Sequence, residues 1–190
     1  MAVRKREREL LLAAKTLFSR RGFYDTTVSD IVESLGIARG TFYQYFKNKD
    51  DIYRRVLEQV VEELSSRLKL VSPDDPFAQL RENLKGVLEL MVEDRDLARL
   101  VFYHPYKLNP RFDAVLEEFF LKVYALVEHA VKTGMEMGVV RRCNPEIVAR
   151  AIVGAFMEVG KLLIEQESPD IEGAVDELLA IGRAGLLEER

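Results

Sequence analysis

The 190-residue chain has one cysteine, Cys143, and two histidines, His104 and His129. A single thiol excludes an internal disulfide and any multi-thiolate zinc site, so Cys143 reads as a free structural cysteine. Two distant imidazoles supply no ligand cluster, and neither a metal nor another cofactor is expected. No apolar run reaches the ~18–20 residues a membrane helix needs. The opening MAVRKRERELLLAAK has no apolar signal core behind its basic residues, so the chain is expected in the cytoplasm. Strand alternation, internal repeats and low-complexity tracts are missing too. So are a nucleophile–base set and a glycine-rich phosphate loop, which argues against an enzyme. The paired acids Asp50-Asp51 and Asp74-Asp75 read as helix-start and loop residues.

What is present is 48% hydrophobic and 32% charged, the balance of a soluble globular protein with a proper core. The net charge of −4 is unevenly spread. Residues 1–50 hold ten of the 28 Lys/Arg and six of the 32 Asp/Glu, leaving 18 basic against 26 acidic side chains in the remainder. A basic head on an acidic body gives a local footprint for phosphates while the body is repelled by them.

Apolar spacing predicts helices almost throughout. Leu10, Leu11, Ala14, Leu17 and Phe18 form a stripe of helical period over residues 4–21, ended by Gly22. Thr27 can cap a second helix, supported by Asp30. Gly36 suits a left-handed turn, and a third helix over 39–46 follows, with Phe42 and Phe46 turned inward and 39, 40, 43 and 44 outward. Asn48 can cap a fourth helix over 49–70. After the loop at 72–76, further helices are expected at 77–93, 96–103, from Pro110 to about Lys132 with Gly134 and Gly138 at its end, from Asn144-Pro145 onward, and over 171–187. The expected class is all-α, with about nine helices: a DNA-binding head over 1–48 and a helical body over 49–190, for which the family resemblance given below implies effector binding and dimerisation. The head is expected because residues 27–49, TVSDIVESLGIARGTFYQYFKNK, carry two short amphipathic segments hinged at Gly36. That is how a helix-turn-helix enters a DNA groove.

The same residues resemble the TetR/AcrR family of transcriptional regulators. The match runs through Phe18, Gly22-Phe23, Thr26-Thr27, Ile31 and Leu35-Gly36-Ile37, then Arg39-Gly40-Thr41-Phe42-Tyr43 and Tyr45-Phe46-Lys47-Asn48-Lys49. Gly138-Val139-Val140-Arg141 ahead of Asn144-Pro145 fits the family's layout as well. Val32 and Leu35 are bulkier than the alanines often found there, and Gln44 stands where many members have histidine. The resemblance implies a homodimeric regulator, most often a repressor, that binds a palindromic operator and is released by a small hydrophobic or amphipathic effector. The alternative is an architectural or interaction protein with a DNA-binding head and no effector.

Arg39 projects from the first turn of the reader helix, where a guanidinium can grip guanine O6 and N7 or, instead, a phosphate. Gly40 and Thr41 permit close approach to the groove. Tyr43, Gln44 and Tyr45 combine aromatic rings with polar tips; the resemblance implies base and backbone contacts for them, with Gln44 a reader of adenine and Tyr45 a phosphate ligand. Thr26, Thr27 and Lys49 lie at helix starts, where their groups can converge on phosphate. Lys47 and the basic arm at residues 4–8 add general attraction.

One short reader helix contacts too few base pairs, and a dimer places two of them about 34–36 Å apart or more. Ala151, Ala155, Val159, Val175, Leu178, Leu179, Gly182 and Leu186, on the last two helices, are the candidate dimer interface; the alternative is that they close the chain's own core. Met91, Phe102, Tyr103, His104, Tyr106, Phe120, Tyr124, Met157 and Glu158 are candidates for an effector pocket, against ordinary core packing. Glu158 fits either a buried ligand partner or the dimer rim, and His104 either an effector contact or a structural role.

Overall fold

The computed structural model describes residues 2–69, 76–102 and 110–186. Among them nine helices follow one another: α1 (Ala2–Arg21), α2 (Val28–Ser34), α3 (Arg39–Phe42), α4 (Lys49–Arg67), α5 (Pro76–Glu93), α6 (Arg95–Phe102), α7 (Pro110–Glu136), α8 (Pro145–Glu165) and α9 (Ile171–Leu186). The fold is all-α, as the apolar spacing requires. No described helix is long and apolar enough to cross a membrane.

Three helix ends differ most from expectation, and the simplest is the fourth helix, which stops at Arg67 and not at residue 70. The third helix is regular only through Phe42. Beyond it the Gln44 and Tyr45 N–H groups bond three residues back, to Thr41 O at 3.3 Å and Phe42 O at 3.0 Å, the tight winding of a 3₁₀ turn. The seventh helix passes Lys132 and Gly134 and ends at Glu136. Gly134 serves packing here: a Cβ on it would lie 2.6 Å from Val140 Cγ2. The chain reverses at Gly138, whose φ is 69°, and the Val139 and Val140 N–H groups return to the Gly134 carbonyl at 3.0 Å.

The chain forms two compact units, Met1–Glu63 with Asp94–Leu116, and Leu64–Glu93 with Glu117–Arg190. In the first, α1 buries Leu10, Leu11, Ala14 and Phe18, α2 buries Val28, Ile31 and Val32, α4 buries Ile52, Val56 and Leu57, and α6 buries Leu97, Ala98 and Val101. Each of the larger side chains contributes about 1.5–3 kcal/mol through burial. The helix starts are capped as local chemistry dictates. Asn48 Oδ1 accepts the Asp51 N–H at 2.8 Å and Asp94 Oδ1 accepts the Leu97 N–H at 2.9 Å. Polar bonds join α1 to α6 as well, with Lys15 paired to Asp94, and Thr16 and Ser19 donating to Asp96.

The second unit centres on Leu88, Leu163 and Val175, with Leu84, Val92, Phe156, Val159 and Leu179 packed around them. Arg81 and Lys85 of α5 pair with Glu172 at the start of α9, and Arg81 also with Asp176. The hydrogen bonds from Lys85 and Arg81 hold the Glu172 carboxyl below its ordinary pKa. Buried Asn83 grips the Lys69 peptide from both sides, accepting its N–H at 3.0 Å and donating to its carbonyl at 2.7 Å. Asn144 caps α8 through the Ile147 N–H at 3.2 Å, with Pro145 in the first turn.

Candidate nucleic-acid interface

The candidate interface is α2, the turn after it and α3, all within the first unit. Gly36 takes φ 63°, a conformation a side chain resists, and the turn closes through the Ile37 N–H bonded to Val32 O at 3.0 Å. From there α3 sets Phe42 and Phe46 against the core, 0% and 3% exposed, with ring centroids 5.6 Å apart. Arg39, Gly40, Tyr43 and Gln44 are all exposed on the other side, while Thr41 and Tyr45 are half-buried and Lys47 is exposed. The expected outward set is therefore brought together on one face.

The Arg39 guanidinium lies along that face, donating to Tyr43 Oη at 3.4 Å with its carbon 6.0 Å from the ring centroid. Gly40 is informative because the fold gives no reason for it. A Cβ there would meet nothing within 4 Å, yet glycine costs a helix about 0.8–1.0 kcal/mol relative to alanine. A bare backbone on an exposed reader face suits close approach by a second molecule.

The helix-start residues Thr26, Thr27 and Lys49 differ in exposure and in partners, and Thr27 caps α2 as expected. Thr26 is a correction: it is 0% exposed, and its hydroxyl donates to Gly22 O at 2.8 Å. Its side chain belongs to the core beneath the α1–α2 turn. Thr27 is exposed, but it is committed to a capping box. Its hydroxyl accepts the Asp30 N–H at 3.1 Å, and Asp30 Oδ2 accepts the Thr27 N–H at 2.7 Å. The Thr27 hydrogen bonds hold the Asp30 carboxyl below its ordinary pKa, with the Arg21 charge adding to the effect. Lys49 Nζ donates to the Phe23 carbonyl at 2.8 Å.

Among the candidate dimer residues, Ala151 and Ala155 are exposed, and Leu178 and Gly182 are half-buried. Val175 is a correction: at 0% exposed it lies in the second unit's own core, with Val159 and Leu179 packed against that core. The side chain of Leu186 lies outside the described residues. Ile181 of the last helix is 67% exposed, and sequence reading missed two further apolar residues that face outward, Ile147 at 65% and Leu162 at 58% exposed. A wheel of α8 separates Ile147, Ala151, Gly154, Glu158 and Leu162 from buried Ala149, Val153, Gly160, Leu163 and Ile164, and that signal was available.

Of the candidate effector residues, Tyr103, His104 and Tyr106 lie outside the described residues. In the second unit Met91 and Phe120 are buried, and Tyr124 and Met157 are half-buried. Phe102, in the first unit, is buried. Tyr124 has one face covered by the Arg150 guanidinium, 4.9 Å from its centroid. Glu158 is exposed and paired with Lys161 at 2.6 Å, which places its carboxylate at the chain's surface. Among the described residues no group of three or more His, Cys, Asp or Glu is placed to hold a metal ion.

Two family descriptions match the chain, "Bacterial regulatory proteins, tetR family" over residues 10–56 and "Tetracyclin repressor-like, C-terminal domain" over 73–161. The uncharacterized HTH-type transcriptional regulator YfiR of Bacillus subtilis is 46% identical over 59 residues, which span 31% of this chain and 29% of that protein. The HTH-type transcriptional regulator AcrR of Shigella flexneri is 26% identical over 90% of this chain and 85% of its own length. The structure of the ketosteroid transcriptional regulator KstR2 of Mycobacterium tuberculosis superposes with a TM-score of 0.80 at 22% identity, covering 97% of this chain and 96% of that one. The helix-turn-helix geometry and both matched segments lead to one conclusion: the chain is a TetR-family transcriptional regulator with an N-terminal DNA-binding domain.

Proposed function

We propose that the protein acts as a homodimeric repressor, each subunit laying α3 into the major groove of one half of a palindromic operator. Residues 1–48 form the reading head and residues 49–190 the effector and dimerisation part. The observation that carries the reading is the exposed face of Arg39, Gly40, Tyr43 and Gln44, held rigid by Phe42 and Phe46 at 0% and 3% exposure behind it. Rigid presentation matters because base readout is geometric: a guanidinium must meet guanine O6 and N7 together. Arg39 and Gln44 read bases, Tyr43 and Thr41 contact base and sugar–phosphate edges, Thr27, Tyr45 and Lys49 supply phosphate contacts, and Lys47 adds general attraction.

Dimerisation is supported by the outward row Ile147, Ala151, Gly154 and Leu162 on α8, with Ile181 and Gly182 on α9. A Cβ on Gly154 or Gly182 would meet nothing within 4 Å, so the fold leaves both glycines open to a close neighbour. Two α8–α9 pairs, one from each subunit, would bury this row as a four-helix interface. The effector is a small hydrophobic or amphipathic molecule, taken up by the aromatic and methionine residues of the body, Phe120, Tyr124, Met91 and Met157 among them. The similarity to KstR2, a ketosteroid transcriptional regulator, is in keeping with an apolar effector. Effector binding shifts the body toward a state whose heads no longer match the operator spacing. The protein works in the cytoplasm.

The test is to map the DNA fragments the purified protein retains, with and without extract of the source cells. The proposal expects a small set sharing one palindrome, lost when extract is added. Retention unaffected by extract would remove the effector, and retention without a common sequence would remove the operator.

A further inference from the structure

We infer that Arg141 is a positioning residue for dimerisation: its guanidinium holds the last turn of α9 and so sets the angle at which Ile181 and Gly182 meet a second copy of the chain. The inference rests on the homodimer proposed above.

The two halves of α9 are held differently. Its start is capped, with Asp170 Oδ1 accepting the Gly173 N–H at 2.9 Å, and is tied to α5 through Glu172 and Asp176. Val175 and Leu179 then pack into the core. Beyond Leu179, residues 180–185 are exposed apart from half-buried Gly182, so core packing does not set the course of that stretch. Glycines at 182 and 185 weaken it further, because glycine loses the most freedom on entering a helix. Ile181 and Gly182 therefore sit on the part of α9 that the core does not fix.

Arg141 reaches that part from a rigid base. Its Nε donates to the Gly185 carbonyl at 2.7 Å, 44 residues away in sequence. The carbonyl is among the last four of α9, which have no partner within the helix, and a cation is favoured at a helix C-terminus. Neighbouring Val140 packs on Gly134, and the Val139 and Val140 N–H groups both return to the Gly134 carbonyl at 3.0 Å. Three residues after Arg141, Asn144 caps α8. The contact thus ties the α8 end that carries Ile147 and Ala151 to the α9 end that carries Ile181 and Gly182. Those are the two halves of the row that a partner subunit would cover, and one hydrogen bond sets their separation.

The test uses the full chain with Arg141→Gln and Arg141→Lys. Sedimentation across a dilution series gives the dimer dissociation constant. Amide hydrogen exchange and denaturation are read in the Ile181→Glu background, which removes the partner. Arg141→Gln is expected to raise the dissociation constant about tenfold, each dimer losing two solvent-exposed contacts to a charged group. Arg141→Lys, which keeps the charge but not the planar fork, gives a smaller rise. In the Ile181→Glu background Arg141→Gln speeds exchange at amides 183–186, while the amides around Val175 and the unfolding midpoint stay unchanged. An unchanged dissociation constant in the folded variant overturns the inference. So does a lowered unfolding midpoint with faster exchange along all of α9, the mark of a merely structural arginine. An Ile181→Glu chain that still dimerises overturns it too, because Ile181 then does not meet the partner. If Arg141→Gln does not fold, Arg141→Lys decides by the same criteria. A wild-type chain that stays monomeric at every concentration contradicts the homodimer itself.

Discussion

Ser19 of α1 donates its hydroxyl to Asp96 Oδ1 of α6 across 2.7 Å, and Thr16, one turn earlier, donates to Oδ2 at 2.8 Å. With Arg20 at 3.8 Å and Arg99 at 3.6 Å, the carboxylate has partners on both oxygens and is only 18% exposed. It ties α6 to the first helix of the reading head. Asp96→Ala should therefore lower unfolding stability by about 1.5–3 kcal/mol, the range for hydrogen bonds to a charged group. Arg99→Ala, which removes an exposed partner, should cost under about 1 kcal/mol. Chemical denaturation of the two variants gives the comparison, and equal losses would contradict the importance of the hydroxyl bonds.

Thr26→Val should separate fold from function. The Thr26 hydroxyl is buried on Gly22 O, so its loss leaves a carbonyl without its donor and costs about 1–2 kcal/mol. Affinity for DNA, measured well below the melting temperature, should not change. A clear loss of affinity in a fully folded variant would restore Thr26 as a DNA contact.

Arg39→Ala should relax sequence preference, because a bidentate guanine contact discriminates by about 1–3 kcal/mol. Tyr45→Phe should instead weaken binding to all sequences alike, as a lost phosphate contact does. Selection from a random-sequence library with each variant distinguishes the two. Equal losses on every sequence for Arg39→Ala would assign its guanidinium to phosphate.

How much of this was legible in the sequence depended on how local the physics is. Thr27, Asn48 and Asn144 announced themselves as caps, because a cap is made by one side chain and an N–H three residues on. The two faces of α3 followed from the four-residue spacing of Phe42 and Phe46. Thr26 and Lys49 did not follow, because their partners, Gly22 O and Phe23 O, are carbonyls presented by the α1–α2 turn. Val175 was misplaced for a related reason. On a helix as apolar as α9, composition does not say which face meets α5, and packing around Leu88 and Leu163 decides it. Asp94 and Asp96 stand some eighty residues from their partners on α1, beyond any helical spacing.

The dimer interface is open to a paired test. Ile181→Glu places a charge on a residue 67% exposed in the single chain, so the subunit should fold while sedimentation shows monomers. Val175→Ala, at a fully buried core position, should cost about 2 kcal/mol of stability and leave folded subunits paired. A dimeric Ile181→Glu variant would move the interface away from this part of α9.

The central claim, two rigid reader faces held by one dimer on a palindromic site, is tested most directly by the stoichiometry and footprint of the protein on the duplex it enriches. The account predicts two chains per site and two protected half-sites related by a two-fold axis, their centres about 34–36 Å or more apart along one face of the duplex. Substitution of either half-site should abolish tight binding. One chain per site, or full affinity for a single half-site, would contradict it.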